Sequence, residues 1–114
     1  MLVIAAAGNS ASDNDTHPEM PADFSNTYDN VIAVGASDAS DRMASFSDYG
    51  RSVDLMAPGV NMADITTMDW TGSTGQVIVW ANGTSFAAPM VAAAAALIWS
   101  ADPSLTYLQV KMTS

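Results

Sequence analysis

The sequence has 114 residues, of which 49% are hydrophobic and 13% are charged, and its formal net charge is −9. This length and composition suit one domain, or part of one, with a buried core, and argue against a disordered tail. With 12 acidic and 3 basic residues the chain lacks the basic clusters that nucleic acid requires, so we expect a solvated acidic surface. The absence of cysteine excludes disulfides, thiolate nucleophiles and cysteine-based metal sites.

Continuous apolar runs in the first half predict buried strands of a parallel sheet. The first run is Leu2 to Gly8 and the second is Val31 to Ser37. Between them, residues 9–30 are rich in Asn, Asp, Ser and Pro and predict a loop. Residues 44–50 predict a weak strand or an irregular segment, and residues 52–59 predict a third strand that ends at a Pro-Gly pair.

The second half is predicted to contain a loop at residues 60–75, a short strand from Gln76 to Gly83 and two helices. The first helix begins at Ser85 and ends near Ala101. Its uncharged stretch, residues 86–99, is shorter than the roughly 20 residues that span a bilayer, so we expect a helix buried on every side and no membrane partner. A capping-box spacing at Thr106 predicts the second helix. Strands, crossovers and a buried helix together indicate an α/β fold.

Ser85 raises a chemical question, because a serine at the head of a helix is usually only a cap. A free hydroxyl is a poor nucleophile that needs a base and donors for the oxyanion it creates. A helix N-terminus provides unpaired N–H groups, and Gly83 before it leaves the approach open. Asn9 ends the first predicted strand, where its amide could provide a second oxyanion donor.

Five segments together resemble the subtilisin-like serine proteases, the subtilase family, in order and spacing. They are AAAGN at residues 5–9, NVIAVGA at 30–36, FSDYG at 46–50, VDLMAPG at 53–59 and NGTSFAAPMVAAAAAL at 82–97. The resemblance implies a three-layer α/β fold with a mostly parallel sheet and a buried central helix, and a serine endopeptidase that works through an acyl-enzyme. It implies no cofactor for the chemistry, a polypeptide substrate and, by family habit, an extracellular location.

The resemblance also assigns roles to particular residues. Ser85 matches the nucleophile and Asn9 the side-chain oxyanion donor. The residues expected to contact substrate are Ala7 and Gly8 at the strand edge and Gly83 and Thr84 in the turn before the nucleophile.

The triad aspartate and histidine of the family have no counterpart here, since their segments would precede AAAGN. The lone histidine, His17, matches no family position, and Asp54 matches a structural strand residue. We therefore expect residues 1–114 to be the C-terminal portion of a catalytic domain, truncated at both ends, and inactive alone. Its expected partner is the missing N-terminal half, and no signal peptide is expected within the chain.

Several features depart from the family pattern or leave alternatives open. Phe86 replaces a frequent Met, which predicts lower sensitivity to peroxide, and Met90 replaces a usual His, which predicts a packing change. Met20-Pro21 resembles a family Tyr-Pro pair and is a candidate cis bond. The acidic loop could bind structural calcium, but no spacing marks a metal site, and a solvated loop explains it as well.

Two other functions fit the same residues. One is a pseudoprotease or peptide-binding module that keeps the cleft without catalysis. The other is a scaffold fragment that pairs with an N-terminal chain to complete the sheet. Because the sheet would lack its upstream neighbours, we expect exposed apolar edges and aggregation of the isolated chain.

Overall fold

The computed structural model describes residues 1–68 and 74–113, which form five strands, two α-helices and one short 3₁₀ helix. The strands are β1 (Val3–Ala6), β2 (Val31–Ser37), β3 (Val53–Pro58), β4 (Met62–Met68) and β5 (Thr74–Ala81). The helices are α1 (Thr84–Ala101) and α2 (Tyr107–Thr113), and the 3₁₀ helix is Ala22–Asn26.

A parallel sheet in the order β1-β2-β3 organises the fold. The central strand β2 is buried along residues 31–36, as its continuous apolar run predicts, because both of its faces are covered. Ile32 and Val34, each at most 1% exposed, lie in the same core cluster as Ala87 and Val91 of α1. The predicted α/β class with a parallel sheet is therefore confirmed.

Helix α1 contacts all three strands of the sheet along one face only. Its buried residues, Thr84, Ala87, Val91 and Ala95, recur every three or four positions, as one face of a helix does. The prediction of a helix buried on every side is wrong for this chain, since Leu97 is 71% exposed. Helix α1 has 18 residues and is longer than the uncharged stretch at residues 86–99. By length and composition alone it is apolar enough to cross a membrane. Core helices of soluble proteins meet the same criterion.

An antiparallel hairpin of β4 and β5 corrects the predicted loop at residues 60–75. The predicted strand that begins at Gln76 is confirmed as β5, but its partner β4 was missed. Strand β4 has little apolar periodicity, and it is defined by cross-strand pairing, such as that of Asp64 with Val79. Residues 69–73 of the predicted loop lie outside the described residues.

The remaining predictions concern short segments. Residues 44–50 are irregular, with an isolated bridge from Tyr49 to Asp13. The capping box before α2 is confirmed, because Thr106 N donates to Gln109 Oε1 at 2.8 Å and Gln109 N donates to Thr106 Oγ1 at 3.3 Å.

Candidate active site

Ser85 lies in the first turn of α1, whose preceding residue is Gly83. Its side chain is exposed. Phe86 N donates to Gly83 O at 3.1 Å, whereas the N–H of Ser85 has no hydrogen-bond acceptor within the described residues. Pro89 lies four residues later within the helix, so it provides no N–H to the carbonyl of Ser85. The nucleophile candidate therefore occupies an open helix start at which the backbone favours negative charge.

Asn9 is joined to the residue next to Ser85. Its Oδ1 accepts hydrogen bonds from Thr84 N at 2.8 Å and from Thr84 Oγ1 at 2.9 Å. Because the backbone N–H can only donate, this contact determines which amide atom of Asn9 is the oxygen. Within the described part of the chain, Asn9 Nδ2 has no hydrogen-bond acceptor. The amide NH₂ is thus available beside the start of α1.

The Thr84 hydroxyl links this contact to the strand end. It accepts a hydrogen bond from Gly8 N at 3.2 Å while it donates to Asn9. Thr84 itself is fully buried, whereas Asn9 is exposed, so these bonds are partly shielded from competing water. The hydrogen bond between Gly8 and Thr84 therefore connects the end of β1 to the start of α1. Gly8 precedes the candidate oxyanion donor Asn9, and Thr84 precedes the candidate nucleophile Ser85.

The turn before the helix is held by the end of β3. Gly83 N donates to Gly59 O at 2.8 Å. A Cβ on Gly59 would lie 2.7 Å from Gly83 O and 2.7 Å from Ala36 Cβ, closer than real side-chain carbons approach. A Cβ on Gly83 would lie 3.1 Å from Ser85 Oγ, which supports the prediction that glycine keeps this approach open.

Asp48 supports the segment on the other side of Asn9, a role that the sequence analysis did not assign. The side chain is 1% exposed, and its Oδ1 accepts from Ser10 N at 2.8 Å and Ser12 N at 2.9 Å. Gly8 has φ +116°, and a Cβ there would lie 2.1 Å from Asp48 Oδ2, so glycine is required by both conformation and space. The acidic residue within FSDYG was the only signal in the sequence.

Ala7 is fully buried, as Thr84 is, and Gly83 is buried as well. The N–H of Ala7 donates to Val34 O at 2.9 Å, and its carbonyl accepts from Asn14 Nδ2 at 3.1 Å. Both backbone groups are thus used within the fold. Its contribution to a specificity pocket stays a prediction, as does that of Gly8.

Among the described residues, neither His17 nor Asp54 forms a hydrogen bond with Ser85. His17 is exposed, and its Nδ1 bonds to Thr16 Oγ1 at 2.9 Å, with no bond to Ser85 among the described residues. Asp54 Oδ2 accepts from Ala33 N at 2.9 Å, where the register of β2 and β3 shifts. Asp54 is therefore a structural residue of the sheet, in agreement with the prediction.

The acidic loop uses its carboxylates internally. Asp13 Oδ1 accepts from Asp15 N at 2.9 Å, and Asp15 Oδ1 accepts from Arg51 N at 2.9 Å. Within residues 1–68 and 74–113 no group of three or more His, Asp or Glu residues is arranged to hold a metal ion. Structural calcium in this loop stays a prediction.

The predicted cis bond is confirmed at Met20-Pro21. Met90 is 47% exposed and lines an apolar cavity of about 270 Å³ together with Leu55 and Met56, so it packs at the helix surface away from Ser85's turn. The expected effect of Phe86 on peroxide sensitivity stays a prediction.

Comparison with known proteins identifies the family of the chain. The model of the subtilase family, Peptidase S8, matches residues 1–114. The chain is 40% identical over 111 residues to subtilisin BL of Lederbergia lenta, covering 97% of this chain and 36% of that protein. It is 46% identical over 99 residues to a thermophilic serine proteinase of Bacillus sp. strain AK1, covering 87% of this chain and 21% of that protein.

Solved structures give the same result. A cold-adapted subtilisin-like serine proteinase superposes with a TM-score of 0.75 at 32% identity, over 96% of this chain and 35% of that one. A protease of Pseudoalteromonas arctica superposes with a TM-score of 0.84 at 26% identity, over 98% of this chain and 34% of that one. The chain thus spans about a third or less of the length of these relatives, and by sequence and fold it belongs to the subtilase family.

Proposed function

We propose that residues 1–114 are the C-terminal portion of the catalytic domain of a serine endopeptidase, with Ser85 as nucleophile and Asn9 as oxyanion donor. The observation that carries this proposal is the pair of hydrogen bonds from Thr84 to Asn9 Oδ1, at 2.8 and 2.9 Å. They hold the Asn9 amide next to the residue that precedes Ser85. The substrate is a polypeptide, as the serine proteases among the relatives suggest.

In this proposal Ser85 Oγ forms a bond to the carbonyl carbon of the scissile peptide while its proton passes to a base. The carbonyl oxygen becomes an oxyanion, which accepts hydrogen bonds from Asn9 Nδ2 and from the N–H of Ser85. The base then gives this proton to the leaving nitrogen as the C–N bond breaks, so the amine product departs and the acyl group stays on Ser85. Water next adds to the acyl carbon with loss of a proton to the base, and the bond to Ser85 Oγ breaks as the oxygen regains a proton, which releases the carboxylic acid product. No cofactor takes part in these steps.

The base and the residue that orients it must come from outside these 114 residues. The sequence contains one histidine, His17, which bonds to Thr16 and not to Ser85 within the described residues. Because the chain covers 36% of subtilisin BL, the remaining length of such a relative leaves room for both groups. We therefore expect the isolated chain to be inactive, and the expected secretion of the protein stays a prediction.

Active-site labelling tests the proposal. The gene product that carries residues 1–114 is treated with a fluorophosphonate probe, and the modified residue is identified by mass spectrometry. We expect labelling at Ser85, none in Ser85→Ala and full labelling in Ser100→Ala, which removes an exposed hydroxyl near the other end of α1. Asn9→Ala should slow labelling by about 100- to 1,000-fold, the range established for this family when one oxyanion donor is removed.

A folded gene product that binds peptides but is never labelled at Ser85 would contradict the catalytic proposal. It would favour the pseudoprotease alternative, in which the cleft binds without cleaving. The comparison of Ser85→Ala with the unmodified protein in a peptide-binding assay separates the two, since binding alone does not need the hydroxyl.

The second part of the proposal is that the exposed face formed by β1 and α1 packs against the N-terminal portion of the same catalytic domain. Strand β1 is an edge strand of the described sheet, because it pairs only with β2. Beside it, Leu2, Ile4 and Trp99 line an apolar groove, and α1 has no charged side chain. An apolar face next to a free parallel edge fits an adjoining strand and helix of similar character.

Complementation tests this docking. The N-terminal remainder of subtilisin BL, up to its match with this chain, is coexpressed with residues 1–114. We expect a stable complex that labels at Ser85. Without a partner the chain should self-associate in sedimentation measurements, and Leu97→Lys should reduce this because Leu97 is 71% exposed. A monomeric chain with a cooperative thermal transition would contradict the proposed docking.

A further inference from the structure

A cavity of about 480 Å³ opens immediately after the proposed oxyanion donor. Its lining begins at Ser10, the residue that follows Asn9, and includes Glu19 and Asp48. This volume lies within the range of pockets that hold small ligands or single side chains. A peptide whose carbonyl is held by Asn9 would have a neighbouring side chain within reach of this cavity.

The residues that line the cavity are mostly polar, and two of them are acidic. Asp48 and Glu19 provide two carboxylates, and the other lining residues include serine and threonine hydroxyls and the His17 ring. Asp48 is engaged, since its Oδ1 accepts two backbone N–H groups. Glu19 differs, because within the described residues its carboxylate accepts no hydrogen bond and forms no ion pair. The carboxylate of Glu19 is therefore free to receive a ligand.

No lysine or arginine is paired with Glu19 among the residues that the structure describes. The sequence contains 3 basic residues, and each has a partner elsewhere. Arg42 pairs with Asp38 at 3.3 Å and Arg51 with Asp15 at 3.3 Å, while Lys111 Nζ donates to the carbonyl of Val31 at 2.9 Å. His17 faces the same cavity, but its Nδ1 is paired with Thr16.

The backbone and packing position Glu19 beside the strand end. Its carbonyl accepts a hydrogen bond from Asp23 N at 2.8 Å, which ties it to the 3₁₀ helix. Its Cγ lies 3.1 Å from the position that a Cβ on Gly8 would occupy, so the side chain passes directly over Gly8. The stem of the exposed Glu19 side chain thus lies against Gly8, the residue before Asn9.

We propose that Glu19 is a specificity-determining residue, and that this cavity takes a lysine or arginine side chain of the polypeptide substrate next to the scissile bond. The proposal rests on the proposed function, because it places the cavity beside an oxyanion site. A cationic side chain would pair with the free Glu19 carboxylate, with Asp48 adding negative potential behind it. A large apolar side chain would remove the carboxylate from water without a partner, which is unfavourable.

The kinetic test compares peptide substrates that differ only in the residue before the scissile bond, which is Lys, Arg, Gln or Phe. The enzyme is the gene product that carries residues 1–114. We expect kcat/KM to be highest for Lys and Arg, and Glu19→Gln should reduce their advantage over Gln by roughly tenfold, equivalent to about 1.4 kcal/mol. Glu19→Lys should reverse the preference toward acidic side chains.

The control is Asp41→Asn, which removes the same charge from an exposed turn that does not line the cavity. It should leave the preference unchanged, since a general effect of net charge would act equally in both variants. A preference for Lys and Arg that persists in Glu19→Gln, or a preference for Phe in the unmodified protein, would overturn the proposal.

A binding measurement separates this proposal from the proposed catalysis. Benzamidine, which carries an amidinium, is titrated into the gene product, with benzamide as the neutral match, and affinity is measured by calorimetry. We expect benzamidine to bind more tightly than benzamide, and Glu19→Gln to remove the difference. If this holds in a protein that the fluorophosphonate never labels, only the catalytic proposal fails. Benzamidine binding that is absent or independent of Glu19 overturns the specificity proposal alone.

Discussion

Replacing Thr84 with valine should weaken both the fold and the oxyanion site, because its hydroxyl joins strand β1 to helix α1. The substitution keeps the shape of a fully buried side chain and removes two hydrogen bonds, from Gly8 N at 3.2 Å and to Asn9 Oδ1 at 2.9 Å. A typical bond contributes about 0.5–1.5 kcal/mol, and an unsatisfied buried donor costs about 1–3 kcal/mol. Together these values predict a loss of roughly 2–3 kcal/mol in the free energy of unfolding.

The effect on the site should be partial. Asn9 Oδ1 keeps its bond to Thr84 N at 2.8 Å, so the amide is held by one contact rather than two. We expect fluorophosphonate labelling of Ser85 in the gene product to slow by roughly tenfold, less than the effect of removing an oxyanion donor outright.

Urea denaturation measures the stability change, and the labelling rate of the folded protein measures the site. Thr84→Ser is the matched control, because it keeps the hydroxyl and loses only a methyl group. If Thr84→Val unfolds at the same urea concentration as the unmodified protein and labels at the same rate, the hydroxyl does not position Asn9, and the reasoning is wrong.

Three further substitutions test the supporting structure. Gly8→Ala should lower the free energy of unfolding by more than about 2 kcal/mol, because Gly8 has φ +116° and an added Cβ would clash with a carboxylate oxygen of Asp48. Gly75→Ala is the control and should be nearly neutral, because an added Cβ there has no neighbour within 4 Å. Asp54→Ala should cost about 1–3 kcal/mol because a strand N–H loses its acceptor, and Asp54→Asn should retain most of the stability. The backbone N–H of Arg42 is the main cause that holds the pKa of Asp38 below its ordinary value of 3.8. The ionised Asp38 carboxylate should therefore stabilise the fold above pH 3.8, and this stabilisation should disappear as the pH falls through the lowered pKa. NMR titration of Asp38 measures the pKa, and Asp38→Asn should abolish this pH dependence of stability. Equal denaturation midpoints for the two glycine variants, or for Asp54→Ala and the unmodified protein, would contradict the contacts described, as would an Asp38 that titrates at or above its ordinary value.

Short-range patterns in the sequence were sufficient for much of the fold. Three patterns correctly predicted elements of the structure: the continuous apolar run of β2, the uncharged run of α1 and the spacing of Thr106 with Gln109. Each pattern involves only residues that are close in sequence. Strand β4 was missed because a strand without a clear alternation is stabilised by its partner, here β5, and local propensity carries little of that information.

The candidate site divides in the same way. Motifs identified Ser85 as the candidate nucleophile and Asn9 as the candidate oxyanion donor, because a motif consists of a residue and its immediate neighbours in the sequence. The bonds from Thr84 to Asn9 join residues 75 positions apart. The carboxylate of Asp48 lies against Gly8, although the 3₁₀ helix and β2 come between the two residues in the sequence. Such contacts depend on how β1, β2 and α1 pack.

The exposure of α1 likewise required the tertiary structure. Its composition indicates a core helix, but burial depends on which surfaces are present to cover it, and here only one face meets the sheet. The sequence by itself determined most of the elements, apart from β4, and the chemical groups, because helix and strand patterns and motifs are local. Only the tertiary structure decided which of these groups contact one another, because the free energy of long-range packing depends on both of the elements that pack and cannot be read from either one alone.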